Sequence, residues 1–424
     1  MRRTIFHVDV NSAFLSWSAV KKLREEPGSV DLRTIPSAVG GDVTTRHGII
    51  TAKSIPAKKY GITTAMPVTK ALELCPELVL VRADFDTYRK FSRAFIEILK
   101  KYGKVVEQAS IDEAYVDMTG CEQAIAKVSA DKYKEPFPLN AAHLIKDEIR
   151  DTLGFTVNIG ISENKLLAKM ASDFEKPDKV HTLYPDEVPE KMWPLPIGEL
   201  FGCGKKTAER LKHIGIFTIG DAAKMSQDLL IPLLGQSGGS YIHRAANGIS
   251  TSEVSDEREE AKSVSNELTT SYDINESNLV PDGEQILRFL SEKVSKRLQK
   301  QNFYAGTIGF GVKTDDFKRR SIQRKLDNSV NDEETIYSIS RALMDELLLG
   351  RNGLFSKGAK VRLLCVSASN LDHGEFRQMT IFDLADQLEE QKEDLKKKEK
   401  LEKLDKMTHM IQERFGKNAV HKGF

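Results

Sequence analysis

The 424-residue sequence predicts a multi-domain α+β protein, and three observations carry that prediction. The length exceeds what one core usually organises and suggests about three domains. Strand-like and helix-like periodicities alternate up to about residue 172, as in a mixed sheet with covering helices. Beyond residue 260 the order β-α-β-β-α-β describes a second sheet with helices on one face, and a purely helical stretch separates the two regions.

The elements follow in order. "TIFHVDV" (4–10) reads as a buried strand, and "NSAFLSWSAVKKLREE" continues as a helix spaced by Phe14, Trp17, Val20 and Leu23. "SAVGGDVTTRHGIITAKS" reads as a hairpin around Gly-Gly, "PVTKALELCP" as a short helix closed by proline, and "DFDTYRKFSRAFIEILKKYG" as a longer amphipathic helix. Then come a hairpin at 105–118, helix "NAAHLIKDEIRDTLG", strand "FTVNIGIS" and helix "ENKLLAKMASDFEKP". Residues 173–240 read as short helices with glycine turns, and "NGISTSEVSDEREEAKS" as a polar linker. Strand "SVSNELTTSYDI", helix "EQILRFLSEKVSKRLQKQ", strands "AGTIGFGVKT" and "KRRSIQRKL", helix "DEETIYSISRALMDELLL" and strand "KVRLLCVSASNL" complete the last sheet. The final forty or so residues have too few apolar positions for a core.

Lys plus Arg (63) and Asp plus Glu (62) nearly cancel, so total charge points to no partner. Cys75, Cys121, Cys203 and Cys365 are scattered without CxxC spacing, which argues against a zinc site or disulfide framework and fits a reducing cytoplasm. No apolar run approaches the roughly 18 residues of a membrane span, and the N-terminus leaves no room for a signal peptide. A soluble cytoplasmic protein is expected.

"QASIDEAYVDMTG" (108–120) sets Asp112 and Glu113 side by side at the bend of the hairpin. Neighbouring strand residues point to opposite faces, so two carboxylates converge only if the backbone turns between them, and they repel unless a cation is present. Asp9 ends an apolar strand, where a bare carboxylate would be costly, and the next residues open a helix whose amides suit a phosphate. Three hard oxygen ligands beside an anion-binding turn suit Mg²⁺ with a nucleoside triphosphate. Spacing alone leaves a second reading open, in which Asp9 caps the helix and Asp112-Glu113 is an exposed turn.

"DVNSAF", "AKSIPAKKYGITTAMP", "SIDEAYVDMT" and "NIGISENKLLAKMASDFEKP" resemble, in this order, the Y-family translesion DNA polymerases, and the resemblance covers about residues 1–371. It implies a right-hand polymerase with a ferredoxin-like palm (1–22 and 79–172), small fingers (23–78), a helix-hairpin-helix thumb (173–240), a linker (241–260), a β-α-β-β-α-β little finger (261–371) and a tail (372–424). The implied activity is low-fidelity, template-directed transfer of a nucleotide from dNTP to a primer 3′-hydroxyl. Two Mg²⁺ would be held by Asp9, Asp112, Glu113 and the Val10 carbonyl. The nucleotide would meet Asn11, Ser12, Ala13, Phe14, Thr51, Lys58 and Lys165. Phe14, five residues after Asp9, matches the steric gate beneath the sugar. The sequence departs from the commonest pattern at Asn11, where a second Asp is frequent, at Ala13, and at Ile55 and Lys58, where Tyr and Arg are frequent.

"GCGKKTAERL" (202–211) reads as a helix-hairpin-helix turn, with Gly202 and Gly204 admitting a DNA phosphate and Lys205 and Lys206 adding charge; a plain helix cap is the simpler alternative. Residues 300–325 carry seven basic residues against two acidic ones, and Lys318, Arg319, Arg320 and Arg324 are the expected backbone contacts for primer-template DNA. In the tail, "EFRQMTIFDL" places Gln378, Met379, Ile381 and Phe382 in polar surroundings; the stretch resembles the peptide by which bacterial polymerases bind the sliding clamp. A monomer is expected. A palm-type nucleotide cyclase and a catalytically inactive DNA-repair accessory protein are the competing readings. The cyclase would need neither the DNA-binding turn nor the basic sheet, and the accessory would not need all three carboxylates.

Overall fold

The N-terminal apolar run forms β1 (Ile5–Val10), buried along its whole length in a computed structural model of the chain. The structure describes residues 2–42, 48–129, 132–257, 259–374 and Met407. They fall in two compact units that divide between residues 259 and 260. In the first, β1 passes through a left-handed Ser12 (φ 47°) into α1 (Ala13–Glu25). An excursion follows through β2 (Ser37–Gly40), β3 (Ile50–Lys53), α2 (Ile55–Lys59), α3 (Val68–Leu74) and β4 (Val79–Val81). There β2 pairs antiparallel with β3 and parallel with β4 over a small core of Ile50, Ile62, Val68 and Leu78.

The chain returns with α4 (Phe85–Lys100), β5 (Val105–Gln108), β6 (Glu113–Asp117), α5 (Glu122–Ser129), α6 (Leu139–Leu153), β7 (Val157–Ser162), α7 (Lys165–Ser172) and β8 (Val180–Thr182). The main sheet runs β5-β6-β1-β7-β8. Strand alternation divides its residues cleanly. Phe6, Val8 and Val10 of β1, Ala114 and Val116 of β6, and Val157, Ile159 and Ile161 of β7 share one core with α4 and α6. The alternate residues His7 and Asp9 therefore face the other side, with Tyr115, Glu113, Asn158 and Gly160 as their cross-strand neighbours. Helix α7 packs on this polar face, and it can approach because residue 160 is glycine: a Cβ there would lie 2.0 Å from the Ala168 carbonyl oxygen.

Four helices follow, α8 (Lys205–His213), α9 (Ile219–Lys224), α10 (Gln227–Leu234) and α11 (Gln236–Ala246). Their core joins Leu211, Ile219, Leu230 and Ile242 to Leu167 and Met170 of α7. Two expected boundaries move. The main sheet continues past residue 172, because β8 pairs with β7 although its three residues are too few to show a period. Helix α11 runs beyond residue 240, because Ile242, Ala245 and Ala246 are buried in the helical core. The later linker is anchored too: Val254 packs on Ile5, Tyr115 and Ala168, and the Ser255 amide donates to Glu107 at 3.0 Å.

The second unit follows the expected order, β9 (Ser263–Ile274), α12 (Glu284–Lys300), β10 (Tyr304–Thr314), β11 (Arg319–Val330), α13 (Glu333–Leu348) and β12 (Val361–Asp372). Its sheet runs β11-β10-β12-β9, and the helices share a core with Ile308, Phe310, Val312, Leu364 and Val366.

Candidate active site

Two carboxylates meet because of strand register: Asp9 stands directly opposite Glu113 on antiparallel β1 and β6. Asp112 occupies the preceding turn. Its carbonyl accepts the Val10 amide at 3.0 Å, its carboxylate accepts the Ser110 hydroxyl at 2.6 Å, and the Ser110 oxygen in turn accepts the Glu113 amide at 3.1 Å. The bend spans residues 110–112, and Glu113 opens β6 directly after it. Among the described residues, no group of three His, Cys, Asp or Glu side chains converges as a metal site.

Lysine ammonium groups meet two of the carboxylates. Lys176 pairs with Asp9 and, at 2.8 Å, with Asp173; Lys169 on α7 donates to Glu113 at 2.8 Å and lies 3.3 Å from Asp173. Asp9 is 6 % exposed, and burial pushes its carboxyl above the usual range against the opposing pull of Lys176. The neighbouring His7 ring and the Lys169 ammonium hold Glu113 down at about 2. His7 Nε2, at 3.8 Å, lies beyond hydrogen-bond length, so Lys169 is the closer partner. Two carboxylates that each hold a positive charge are a donor set suited to a hard divalent cation.

Around them, Ser12 and Ala13 form the turn into α1, and the left-handed Ser12 is a strained position for a residue with a Cβ. The Phe14 ring stacks on Tyr88 with centroids 4.7 Å apart and meets Trp17 and Phe85 at 6.0 and 5.9 Å. Lys58 is exposed in the last turn of α2, and Thr51 on β3 donates to the Val39 carbonyl at 3.1 Å. Lys165 lies elsewhere: both Glu107 carboxylate oxygens accept from it, at 2.6 and 2.8 Å, and its ammonium sits 4.8 Å from the Tyr115 ring centre. The structure therefore brings Lys176, rather than Lys165, to Asp9. Sequence reasoning missed Lys169 and Lys176, although "NKLLAKMASDFEKP" carries Lys169 one helical turn after Lys165.

Gly202 is left-handed (φ 82°), and a Cβ there would strike the Tyr241 ring at 2.5 Å. Gly204 caps α8, leaving Lys205 and Lys206 exposed at the helix start. The basic residues of the second sheet divide. Arg319 pairs across from Lys313 and lies on the side away from the helices with Lys325, its guanidinium bridging to Glu267 at 3.0 Å. Arg320 and Arg324 stand opposite Val312 and Ile308, so alternation turns them toward the helix side, and Arg324 lies 3.6 Å from Glu346. Lys318 is in the turn, 2.8 Å from Asp316. Strand alternation thus distributes the four expected DNA contacts over the turn and both sides of the sheet. Gln378, Met379, Ile381 and Phe382 lie outside the described residues.

A metal-suited carboxylate face on a five-stranded sheet, followed by a glycine-turn helical domain and a β-α-β-β-α-β unit, is the arrangement of a DNA-directed DNA polymerase. Family models agree. Residues 8–173 match the impB/mucB/samB family, residues 261–381 its C-terminal domain and residues 185–216 the IMS family HHH motif. The chain belongs to this family, the Y-family translesion DNA polymerases. It is 41 % identical over 383 residues to "DNA polymerase IV" of Clostridium acetobutylicum, covering 90 % of this chain and 91 % of the relative. It is 35 % identical over 429 residues to "DNA polymerase IV 1" of Bacillus subtilis, covering 99 % and 92 %. A solved "Y-family DNA polymerase chimera Dbh-Dpo4(243-245)-Dbh" matches with a TM-score of 0.70 at 25 % identity, over 87 % of this chain and 99 % of that one. The relatives support neither the cyclase nor the inactive-accessory reading. Y-family polymerases are metal-dependent, and no helix among the described residues is long and apolar enough to cross a membrane.

Proposed function

We propose that this chain extends a primer across damaged DNA templates, with Asp9, Asp112, Glu113 and the Val10 carbonyl as ligands of two Mg²⁺ ions. The observation that carries the reading is the cross-strand pairing of Asp9 with Glu113 beside the Asp112 turn. When bound, Mg²⁺ neutralises triphosphate charge and acidifies the primer hydroxyl. The protein's own groups do the rest. Lys169 holds the Glu113 carboxylate in place by donating to it and, with the neighbouring His7 ring, offsets the cost of burying its charge. Lys176 exchanges its hold on Asp9 for the triphosphate, joined by Lys58 and by the amides of Ser12 and Ala13 at the helix start. Phe14 forms the floor beneath the deoxyribose. The α8 turn and the open face of the second sheet hold backbone phosphates, contacts that carry no sequence information and so suit any template.

Primer extension with Mg²⁺ and the four dNTPs tests the assignment. Asp112→Ala and Glu113→Ala are expected to abolish extension while primer-template affinity stays near wild type. Extension within tenfold of wild type for both variants would sink it. We further propose a cytoplasmic monomer whose segment around Gln378, Met379, Ile381 and Phe382 binds a sliding clamp, supported by the sequence motif alone. Replacing Ile381 and Phe382 by Ala should remove clamp stimulation and leave synthesis on short primers intact.

A further inference from the structure

Two asparagines hold the loop that carries Lys176. Asn158 is fully buried on β7 and is the cross-strand partner of Asp9. Its Nδ2 donates to the carbonyls of Ser172 at 3.1 Å and Glu175 at 2.6 Å, and its Oδ1 accepts the Lys179 amide at 3.3 Å. Asn11, one residue beyond β1, donates from Nδ2 to Asn158 Oδ1 at 3.0 Å. Its own Oδ1 accepts the Asp178 amide at 3.0 Å and the Thr156 hydroxyl at 2.9 Å. Backbone amides only donate and carbonyls only accept, so these partners fix which end of each side-chain amide is oxygen and which is nitrogen. The loop is thereby tied at Ser172, Glu175, Asp178 and Lys179, on both sides of Lys176.

We propose that Asn11 and Asn158 are positioning residues that set triphosphate affinity by holding the 173–179 loop so that the Lys176 ammonium stands at Asp9. The affinity half of this rests on the reading of Lys176 given above. It also gives Asn11 a reason. Where the family often has Asp, this chain needs a side chain that both donates and accepts: a carboxylate at 11 would still accept from Asp178 but would set oxygen against Asn158 Oδ1 with no proton between them. Asn158 cannot turn round to help, because its nitrogen is committed to two carbonyls.

The test uses the full chain with Asn11→Ala, Asn11→Asp and Asn158→Ala, alone and combined with Lys176→Ala. Hydrogen exchange of the 173–179 peptide, measured without nucleotide or metal, should accelerate in each asparagine variant while strands of the second unit exchange as in wild type. In primer extension, KM for dNTP should rise about tenfold in Asn11→Ala, with kcat at saturating dNTP within about threefold. In the Lys176→Ala background, Asn11→Ala should add less than about twofold, because a residue acting through another has nothing left to position. Unchanged loop exchange in both Asn11 variants would overturn the anchoring. A full KM effect persisting without Lys176 would overturn the route through that lysine. Lys176→Ala with wild-type KM would overturn the triphosphate reading, and the affinity half with it, while the exchange data still judge the anchoring. Should the buried Asn158→Ala fail to fold, the half-buried Asn11 carries every comparison.

Discussion

Phe14→Ala separates a sugar gate from a packing residue, because the two roles predict different losses. Phe14 is half-buried, stacked on Tyr88 at 4.7 Å, with Trp17 and Phe85 meeting it at 6.0 and 5.9 Å. Tyr88 does not depend on it, since its hydroxyl is 2.8 Å from the Ser18 hydroxyl and its ring also contacts Trp17. A fully buried Phe→Ala costs about 3–5 kcal/mol. With part of the ring already exposed, the loss of three aromatic contacts at roughly 0.5–1.5 kcal/mol each suggests about 2–3 kcal/mol here. The variant should therefore melt several degrees lower yet remain folded at 25 °C. If the ring is the floor under the sugar, removing it admits a 2′-hydroxyl, and discrimination against ribonucleotides should fall about a hundredfold or more, equivalent to about 2.7 kcal/mol of transition-state preference. The assay is the ratio of kcat/KM for dCTP to that for CTP in wild type and variant, beside a melting curve. A ratio that stays within threefold of wild type, with both activities reduced alike, would refute the gate.

Other perturbations follow from the same geometry. Gly160→Ala puts a methyl 2.0 Å from the Ala168 carbonyl and 2.4 Å from the Ser172 amide, so α7 must shift with Lys169; the expected cost is about 3 kcal/mol, or roughly 6–12 °C in Tm, and melting within 2 °C of wild type would contradict it. Asp221 closes a capping box with Thr218, whose amide, with that of Phe217, holds the carboxyl below its ordinary value of 3.8. Its contribution, about 1 kcal/mol, is present above that ordinary value and is lost as pH falls below it. Asp221→Ala should therefore cost stability at pH 7 and nothing at low pH, and an equal loss at both would disprove the cap. Lys325→Ala, on the open face of the second sheet, should lower the salt dependence of primer-template binding by about one phosphate contact, whereas Arg324→Ala should leave it unchanged. Equal slopes for the two variants would show that alternation does not sort these contacts.

Local chemistry made much of this protein legible in its sequence. Strand β1, the carboxylate hairpin and the β-α-β-β-α-β order each rest on periodicity within a few residues and on turn residues that bend the chain whatever surrounds them. The resemblance of four motifs supplied the roles proposed for Asp9, Asp112, Glu113 and Phe14. What it did not reveal depends on partners far away along the chain. The Asp9–Glu113 register is set by pairing across about a hundred residues, and the approach of Lys176 to Asp9 depends on which way the loop after α7 leaves the helix. The ends of β8 and α11 were hidden because short segments take their stability from burial against β7 and against the helical core rather than from their own pattern. Asn11 reads in the sequence only as an exception to a motif. Its meaning comes from Asn158, brought beside it by the β1–β7 pairing, because a side-chain amide becomes an anchor only when the fold surrounds it with fixed donors and acceptors.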